Sequence, residues 1–205
     1  MNIHDNLHKR VSAGTPLVYR LWEPQQTVIV LGNGSKADQD IHLERCRADG
    51  IPILKRRGGG GTVVLMPGVL CLSIAFISQA SISPHYFFKQ INQFIIEILE
   101  QAFCIEELSL RGISDIALGD RKCLGCSMFK SRSIFLYQGS LLVNPDLSLI
   151  TAYLHHPPSE PDYRSGRTHA RFVTSLVRFG YPLSLDQVKE EIQLKFEHQL
   201  CSRLT

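Results

Sequence analysis

No apolar stretch in this 205-residue chain approaches the roughly 20 residues that a membrane-spanning helix requires; the longest, Val69–Ile77, is strand-sized and interrupted by Ser73. The start, Met1-Asn2-Ile3-His4-Asp5, lacks the basic and then apolar regions of a secretory leader. Both absences read as a cytoplasmic chain with no membrane role. Charge of one sign is also scarce. With 22 Lys and Arg against 19 Asp and Glu, the net charge of +3 is too small for the basic stripe of a nucleic-acid binder, and it suits a small anionic ligand or an acidic partner surface instead.

The six cysteines, at 46, 71, 104, 123, 126 and 201, show no framework spacing, so reduced thiols are expected. Cys123 and Cys126 form a lone C-x-x-C. On a strand the odd offset points the two thiols to opposite faces, and no second C-x-x-C or H-x₃₋₅-H follows, which favours structural thiols over zinc. His155-His156 is too tightly spaced to complete a zinc site in the usual way. No Ser-His-Asp or Cys-His arrangement follows from spacing, and no acidic pair is placed for acid–base work. Electrostatic stabilisation by cations and backbone donors fits the remaining residues better.

At 44% hydrophobic and 20% charged, the chain can bury a core without staples, and it reads as one domain over residues 1–205. Val18–Trp22 and Thr27–Leu31 read as two strands joined by a turn at Glu23–Gln26. Asp38–Ala48 has helical spacing, while Ile51–Arg56 and Thr62–Phe76 are β-rich. Ser83-Pro84 is a helix start, followed by Phe87, Phe88, Ile91, Phe94, Ile95, Ile98 and Leu99 at three- and four-residue steps. Ile113–Leu118, Lys122–Phe129 and Ile134–Val143 are strand candidates, with Gly119-Asp120 as a tight turn. Asp146–Leu154 is a short helix, Pro157–Arg167 a polar loop, and Leu183–Leu200 a helix entered through a Ser184/Gln187 capping box. The fold class expected is α/β (α+β), a mixed, largely antiparallel sheet with helices packed on it.

Lys55-Arg56-Arg57-Gly58-Gly59-Gly60-Gly61-Thr62 sets a basic tip and four glycines between two apolar segments. Without Cβ atoms, successive N–H groups can close around a phosphate or carboxylate, and two guanidiniums add charge. A flexible linker or wide turn is the bland alternative. The pair Thr62-Val63 does not supply the Lys-Ser or Lys-Thr of a P-loop. Lys122 follows a tight turn on a rigid segment; Gly125 and Ser127 lie beyond it and Gly139-Ser140 on the next strand, small residues that leave room for a ligand. Ser114 and Asp115 sit on the preceding strand, where Asp115 could assist a metal or a hydroxyl.

Taken in order, these segments resemble the lipoate-protein ligase A family of the biotin/lipoate protein ligase fold, which is class II aminoacyl-tRNA synthetase/biotin synthetase-like. Trp22-Glu23-Pro24 and Thr27–Gly32 resemble the family's first hairpin, and Arg56–Val64 its R-R-x-x-G-G-G loop with one residue fewer. Gly112–Asp115 and Gly119–Lys122 with Gly125 resemble the stretch around its active-site lysine. Gln138–Asn144, Asp146–Leu154 and Arg171–Leu176 continue the likeness, which covers roughly residues 18–180. The resemblance implies ATP-dependent activation of lipoate or octanoate to an acyl-adenylate with Mg²⁺. Transfer to a lysine of a lipoyl domain follows, on a 2-oxoacid dehydrogenase E2 subunit or the glycine cleavage H protein. It makes Lys122 catalytic, and it makes Arg56, Arg57, Gly58, Gly59, Gly60, Gly61, Thr62, Ser114, Asp115, Gly125, Ser127, Gly139 and Ser140 binding residues, with Asp115 a possible Mg²⁺ ligand. Val63, Val64, Leu72 and Ile74 are the expected acyl slot. Where the family has a histidine after the glycines this chain has Leu65-Met66, and Val69 replaces an asparagine; both changes bear on nucleotide contacts. The C-terminal accessory domain of many full ligases is not expected. Two alternatives stay open: an octanoyltransferase or lipoyl-domain amidotransferase using a cysteine thioester, for which Leu110 and Arg111 occupy the expected cysteine region, and a non-catalytic acyl-binding protein.

Overall fold

Strand β5 (Val69–Ile77) is buried on both faces along nearly its whole length, which explains why it reads as an apolar run broken only by Ser73. In the computed structural model, which describes residues 6–204, it lies inside a six-stranded antiparallel sheet of order β1-β5-β9-β8-β7-β6. The partners are β1 (Leu17–Trp22), β6 (Leu108–Arg111), β7 (Asp115–Leu118), β8 (Arg121–Ser131) and β9 (Ile134–Leu142). The expected largely antiparallel sheet is therefore present. Leu70, Leu72, Ile74 and Phe76 of β5 face one hydrophobic layer, whereas Val69, Cys71 and Ala75 face the other side.

Helices α4 (Pro84–Phe103) and α8 (Leu185–Leu204) cover the first face, and the short α7 (Leu176–Phe179) adds Leu176 to the same layer. Ser83 caps α4 by accepting the His85 N–H, with Pro84 at the first turn. The capping box of α8 forms as expected: Gln187 N–H donates to Ser184 Oγ at 3.1 Å and Ser184 N–H to Gln187 Oε1 at 2.9 Å. Val188, Ile192, Phe196, Leu200 and Leu204 then fall on one buried stripe, and Phe196 stacks on Phe94 with ring centroids 5.7 Å apart. No helix among the described residues is long and apolar enough to cross a membrane.

The opposite face carries a three-stranded sheet of order β3-β2-β4, from β2 (Val28–Leu31), β3 (Ile53–Lys55) and β4 (Val63–Leu65), with β2 and β3 parallel. Short helices α2 (Ala37–Asp40), α3 (Leu43–Ala48), α5 (Ser148–Tyr153) and α6 (His169–Phe172) accompany it. At the other end of that face α1 (Leu7–Ser12) packs through Leu7 and Val11 on Val18, Ala75 and Leu136.

The structure corrects several sequence expectations. Val18–Trp22 and Thr27–Leu31 are strands, but they do not form a hairpin: β1 pairs with β5 and β2 with β3 and β4, because nonlocal partners bury both better than they would bury each other. The Asp38–Ala48 helix breaks at Ile41, which is extended and bridges Leu154. Thr62–Phe76 is two strands in different sheets, divided at residues 66–68. β6 went unread. Cys123 and Cys126 do not point to opposite faces, since a bulge at Cys123 changes the parity of β8 and both side chains pack toward the helical layer.

Gly139 likewise lies on that helical side. A Cβ there would stand 2.9 Å from the Tyr137 hydroxyl, which is fully buried and donates to Asn92 Oδ1 on α4 at 2.7 Å. Its smallness serves packing, so the expectation that it leaves room for a ligand fails. Gly139→Ala should cost about 1–3 kcal/mol by overpacking, seen as a lower melting temperature with ligand affinity retained.

Candidate functional site

The glycine loop is organised by Arg56. Its side chain is buried among strands, and Nη2 donates to the carbonyls of Gly59 and Gly61, both at 2.7 Å, while Nη1 donates to Val30 O at 3.3 Å. Burial lowers its pKa to about 10, which leaves it charged at neutral pH. Gly58 O accepts the Asn33 N–H, so three of the four glycine carbonyls point into protein. None of the N–H groups of Gly58 to Gly61 has an acceptor among the described residues. The loop thus holds unpaired donors, as an anion-binding nest requires. Of the two guanidiniums expected to add charge, that of Arg56 is engaged by the loop's own carbonyls and by Val30. Arg57 is exposed, with its guanidinium 5.6 Å over the Phe129 ring.

Only two of the four glycines are sterically required. A Cβ on Gly58 would lie 2.9 Å from Ser127 Oγ of β8, and Gly60 has φ +82°, whereas Gly59 and Gly61 border open space at normal φ. Gly32, beyond β2, closes the loop from behind, since a Cβ there would overlap the Gly60 carbonyl. Thr62 Oγ1 anchors the far end on Asp40 Oδ2 at 2.5 Å.

Lys122 owes its direction to the bulge. Ile116 pairs with Leu124 and Ala117 with Lys122, leaving Cys123 as the extra residue; without it the odd offset would put Lys122 and Gly125 on opposite faces. In the structure a Cβ on Gly125 would touch Lys122 Cε at 2.6 Å and Nζ at 2.7 Å, so the side chain lies across the glycine. Its ammonium is 2.7 Å from Asp115 Oδ1, with the lysine side chain 29% exposed and the aspartate 7%. Asp115 Oδ2 accepts the Tyr163 hydroxyl at 2.9 Å. Both oxygens of Asp115 are therefore engaged, and among the described residues no three His, Cys, Asp or Glu side chains cluster for a metal. The Lys122 carbonyl accepts the Thr174 N–H.

Gly58 rests on Ser127 and Lys122 on Gly125, two residues apart on one face of β8, about 7 Å along the strand. The ammonium and the amide-rich loop thus open onto the same side of the large sheet. Register extends this face in two rows: Asp115, Gly125, Ser140, Cys71 and Trp22 lie side by side on successive strands, and Ser127, Gln138, Ser73 and Arg20 form the next row. Ser140 Oγ donates to Gly125 O at 3.3 Å. Ser114, just outside β7, contributes its carbonyl, which accepts the Cys126 N–H. The expected acyl slot is partly wrong, because Leu72 and Ile74 belong to the helical core on the reverse face. Leu65, Met66 and Val69 are buried apolar contacts around Val28 and Ile29 and offer the site no polar group. Burial pushes the thiols of Cys123 and Cys126 up to about 12 and that of Cys71 higher still, so none of the three is an activated nucleophile.

Tyr163, Asn33, Gly32 and Asp40 are not among the site residues expected from the sequence. Tyr163 lies in a Pro- and Gly-rich loop without periodicity; only the proximity of Arg164 and Arg167 hinted that this loop is braced. Arg164 is buried, stacked over Phe172 at 4.8 Å, and its Nη2 approaches His169 Nδ1 at 3.5 Å.

The fold and this face together set a lysine ammonium and a loop of unpaired backbone donors on one side of the sheet, the donor chemistry that suits an anionic group. The chain belongs to the lipoyl protein ligase A/B catalytic domain family, whose sequence model matches residues 1–197. It is 26% identical over 160 residues to lipoate–protein ligase 1 of Plasmodium falciparum, covering 75% of this chain and 37% of that protein. Over 157 residues it is 26% identical to lipoate-protein ligase A of Blochmanniella floridana, covering 76% and 44%. The chain thus spans about half or less of the length of these relatives. Among solved structures, a bi-partite lipoate protein ligase from Thermoplasma acidophilum, studied with its E2 lipoyl domain, superposes with a TM-score of 0.78 at 19% identity, over 92% of this chain and 72% of that one. A lipoate-protein ligase A bound with ATP gives 0.78 at 20%, over 95% and 78%. These likenesses establish the shared fold.

Two outcomes test the site. Gly58→Ala and Gly60→Ala should each weaken binding of an anionic ligand at least tenfold in calorimetry, while Gly61→Ala stays within about twofold. Burial, with Arg164 and His156 nearby, holds the pKa of His169 below its ordinary value. The unfolded chain therefore takes up the proton first as pH falls. Stability should be intact above about pH 6.5 and decline below it, a decline that melting curves at pH 7.5 and 5.5 should show to be smaller in His169→Gln.

Proposed function

We propose that this chain joins a lipoyl or octanoyl carboxylate to AMP, using ATP and releasing pyrophosphate, and then passes the acyl group to a lysine of a lipoyl domain. What supports this reading is that Lys122 lies on Gly125 and the glycine loop, with its unpaired amides, lies on Ser127, two residues apart on one face of β8. Attack of the acyl carboxylate on the α-phosphorus gathers negative charge on phosphoryl oxygens. Lys122 and the Gly58–Gly61 N–H groups are fixed donors for it, and preorganised donors stabilise such charge without reorganising. In the second step the acceptor amine attacks the acyl carbonyl and AMP departs, with Lys122 holding the oxygens on which charge develops.

Asp115 is already committed to Lys122 and Tyr163. A Mg²⁺ ion arriving with ATP would accordingly be held mainly by phosphate oxygens and water, a usual arrangement for this cation. The acyl tail would cross the small residues Gly125, Ser140 and Cys71 toward Trp22, three inter-strand spacings or about 14 Å. That length accommodates an eight-carbon chain. The acceptor would be the lipoyl domain of a 2-oxoacid dehydrogenase E2 subunit or the glycine cleavage H protein.

A thioester route is the weaker reading, since the thiols nearest Lys122 are buried and held protonated. Acyl binding without turnover is the second reading, favoured by the apolar Leu65 and Val69. Incubation with lipoate, Mg-ATP and an apo lipoyl domain should release pyrophosphate and add a lipoyl mass to the acceptor. Acylation from octanoyl carrier protein without ATP would instead establish the transferase, and lipoate binding with neither donor productive would establish the binding protein. Lys122→Ala should fold normally and lose at least 100-fold in acyl transfer, the scale on which removal of a charge-stabilising donor acts.

A further inference from the structure

The geometry points to Tyr163 as a positioning residue for Lys122, acting through Asp115. The inference deepens the ligase reading and rests on it for its kinetic part alone. Tyr163 comes from the loop before α6, far in sequence from the β7–β8 hairpin, yet its hydroxyl reaches Asp115 Oδ2 at 2.9 Å while Lys122 Nζ takes Oδ1 at 2.7 Å. The loop is tied to the same hairpin from the other side. Arg167 donates to the Asp120 side chain at 2.6 Å and to the Asp120 carbonyl at 2.9 Å, and also to Tyr163 O at 2.8 Å. The Tyr163 ring is fixed against Phe172 with centroids 5.1 Å apart, and its Cε1 lies beside Gly112, just before β7.

An ammonium has three N–H donors, and an ionised carboxylate has two oxygens with which to compete for them. A carboxylate free to turn would take two of the three and leave little for a ligand. With Oδ2 occupied by the tyrosine hydroxyl, Asp115 engages Lys122 through Oδ1 alone, so the ammonium is aimed while two N–H groups stay available on the open side. Asp115 is 6% exposed. Removing the hydroxyl would leave Oδ2 as a buried acceptor without a partner, a costly state, and its nearest remedy is a second bond to Lys122.

Tyr163→Phe removes one oxygen and keeps the ring packing. Reductive methylation read by mass spectrometry reports the hold on Lys122 without any turnover. In Tyr163→Phe the methylation rate of Lys122, relative to the other lysines, should fall at least threefold, and in Asp115→Asn it should rise. In the acylation assay Tyr163→Phe should lower kcat about tenfold with KM for the acyl acid within twofold. Adding it to Asp115→Asn should cause no further loss. Unchanged Lys122 methylation in Tyr163→Phe, or losses in the double variant that multiply, would overturn the inference. If methylation responds as described but the wild-type chain transfers no acyl group, the positioning role stands and the ligase reading falls.

Discussion

Arg56 is a buried cation with no ion-pair partner among the described residues, and the shape of the site follows from how its charge is satisfied. An isolated charge taken out of water is expensive unless dipoles replace the solvent. Here the dipoles are the carbonyls of Val30, Gly59 and Gly61. The guanidinium therefore fixes the loop's backbone, which would otherwise present its donors in every direction. The same step explains why Gly58 and Gly60 must be glycines: the loop has to lie on Ser127 and to pass through positive φ within four residues.

Against this fixed loop, Lys122 is placed by one irregularity in an otherwise regular sheet. The bulge at Cys123 rotates the start of β8 so that the lysine joins Gly125 and Ser127 on the site face. It also commits Cys123 to the helical core, where its burial keeps it an inert thiol. Asp115, held from β7, then fixes where the ammonium points. Sheet register, a bulge and an ion pair together place the lysine beside the loop's donors.

Much of this was legible in the sequence because it is local. The glycine run, the Ser83-Pro84 start of α4, the Ser184/Gln187 box and the turn before Lys122 each carry their cause within a few residues. The features misread depend on distant partners. Whether β1 pairs with β2 or β5 is decided by what each buries, and the bulge by how β7 meets β8. Neighbouring arginines at 56 and 57 look alike in one dimension, yet one is enclosed by β2 and the loop while the other lies over Phe129. Gly139 read as ligand space because a small residue on a strand does not disclose which face is occupied; the Tyr137 hydroxyl occupies it here. Tyr163 lay in a segment with no periodicity to mark its ring as fixed.

The central claim is that the ammonium and the amide loop receive one charged headgroup together. Nuclear magnetic resonance of the chain labelled at glycine amides and lysine side chains, titrated with a non-hydrolysable acyl-adenylate analogue, tests it directly. The account predicts that the amide resonances of the 58–61 segment and the Lys122 side-chain resonance shift in parallel, with a single dissociation constant. Saturable binding that moves one group and leaves the other unchanged would contradict it.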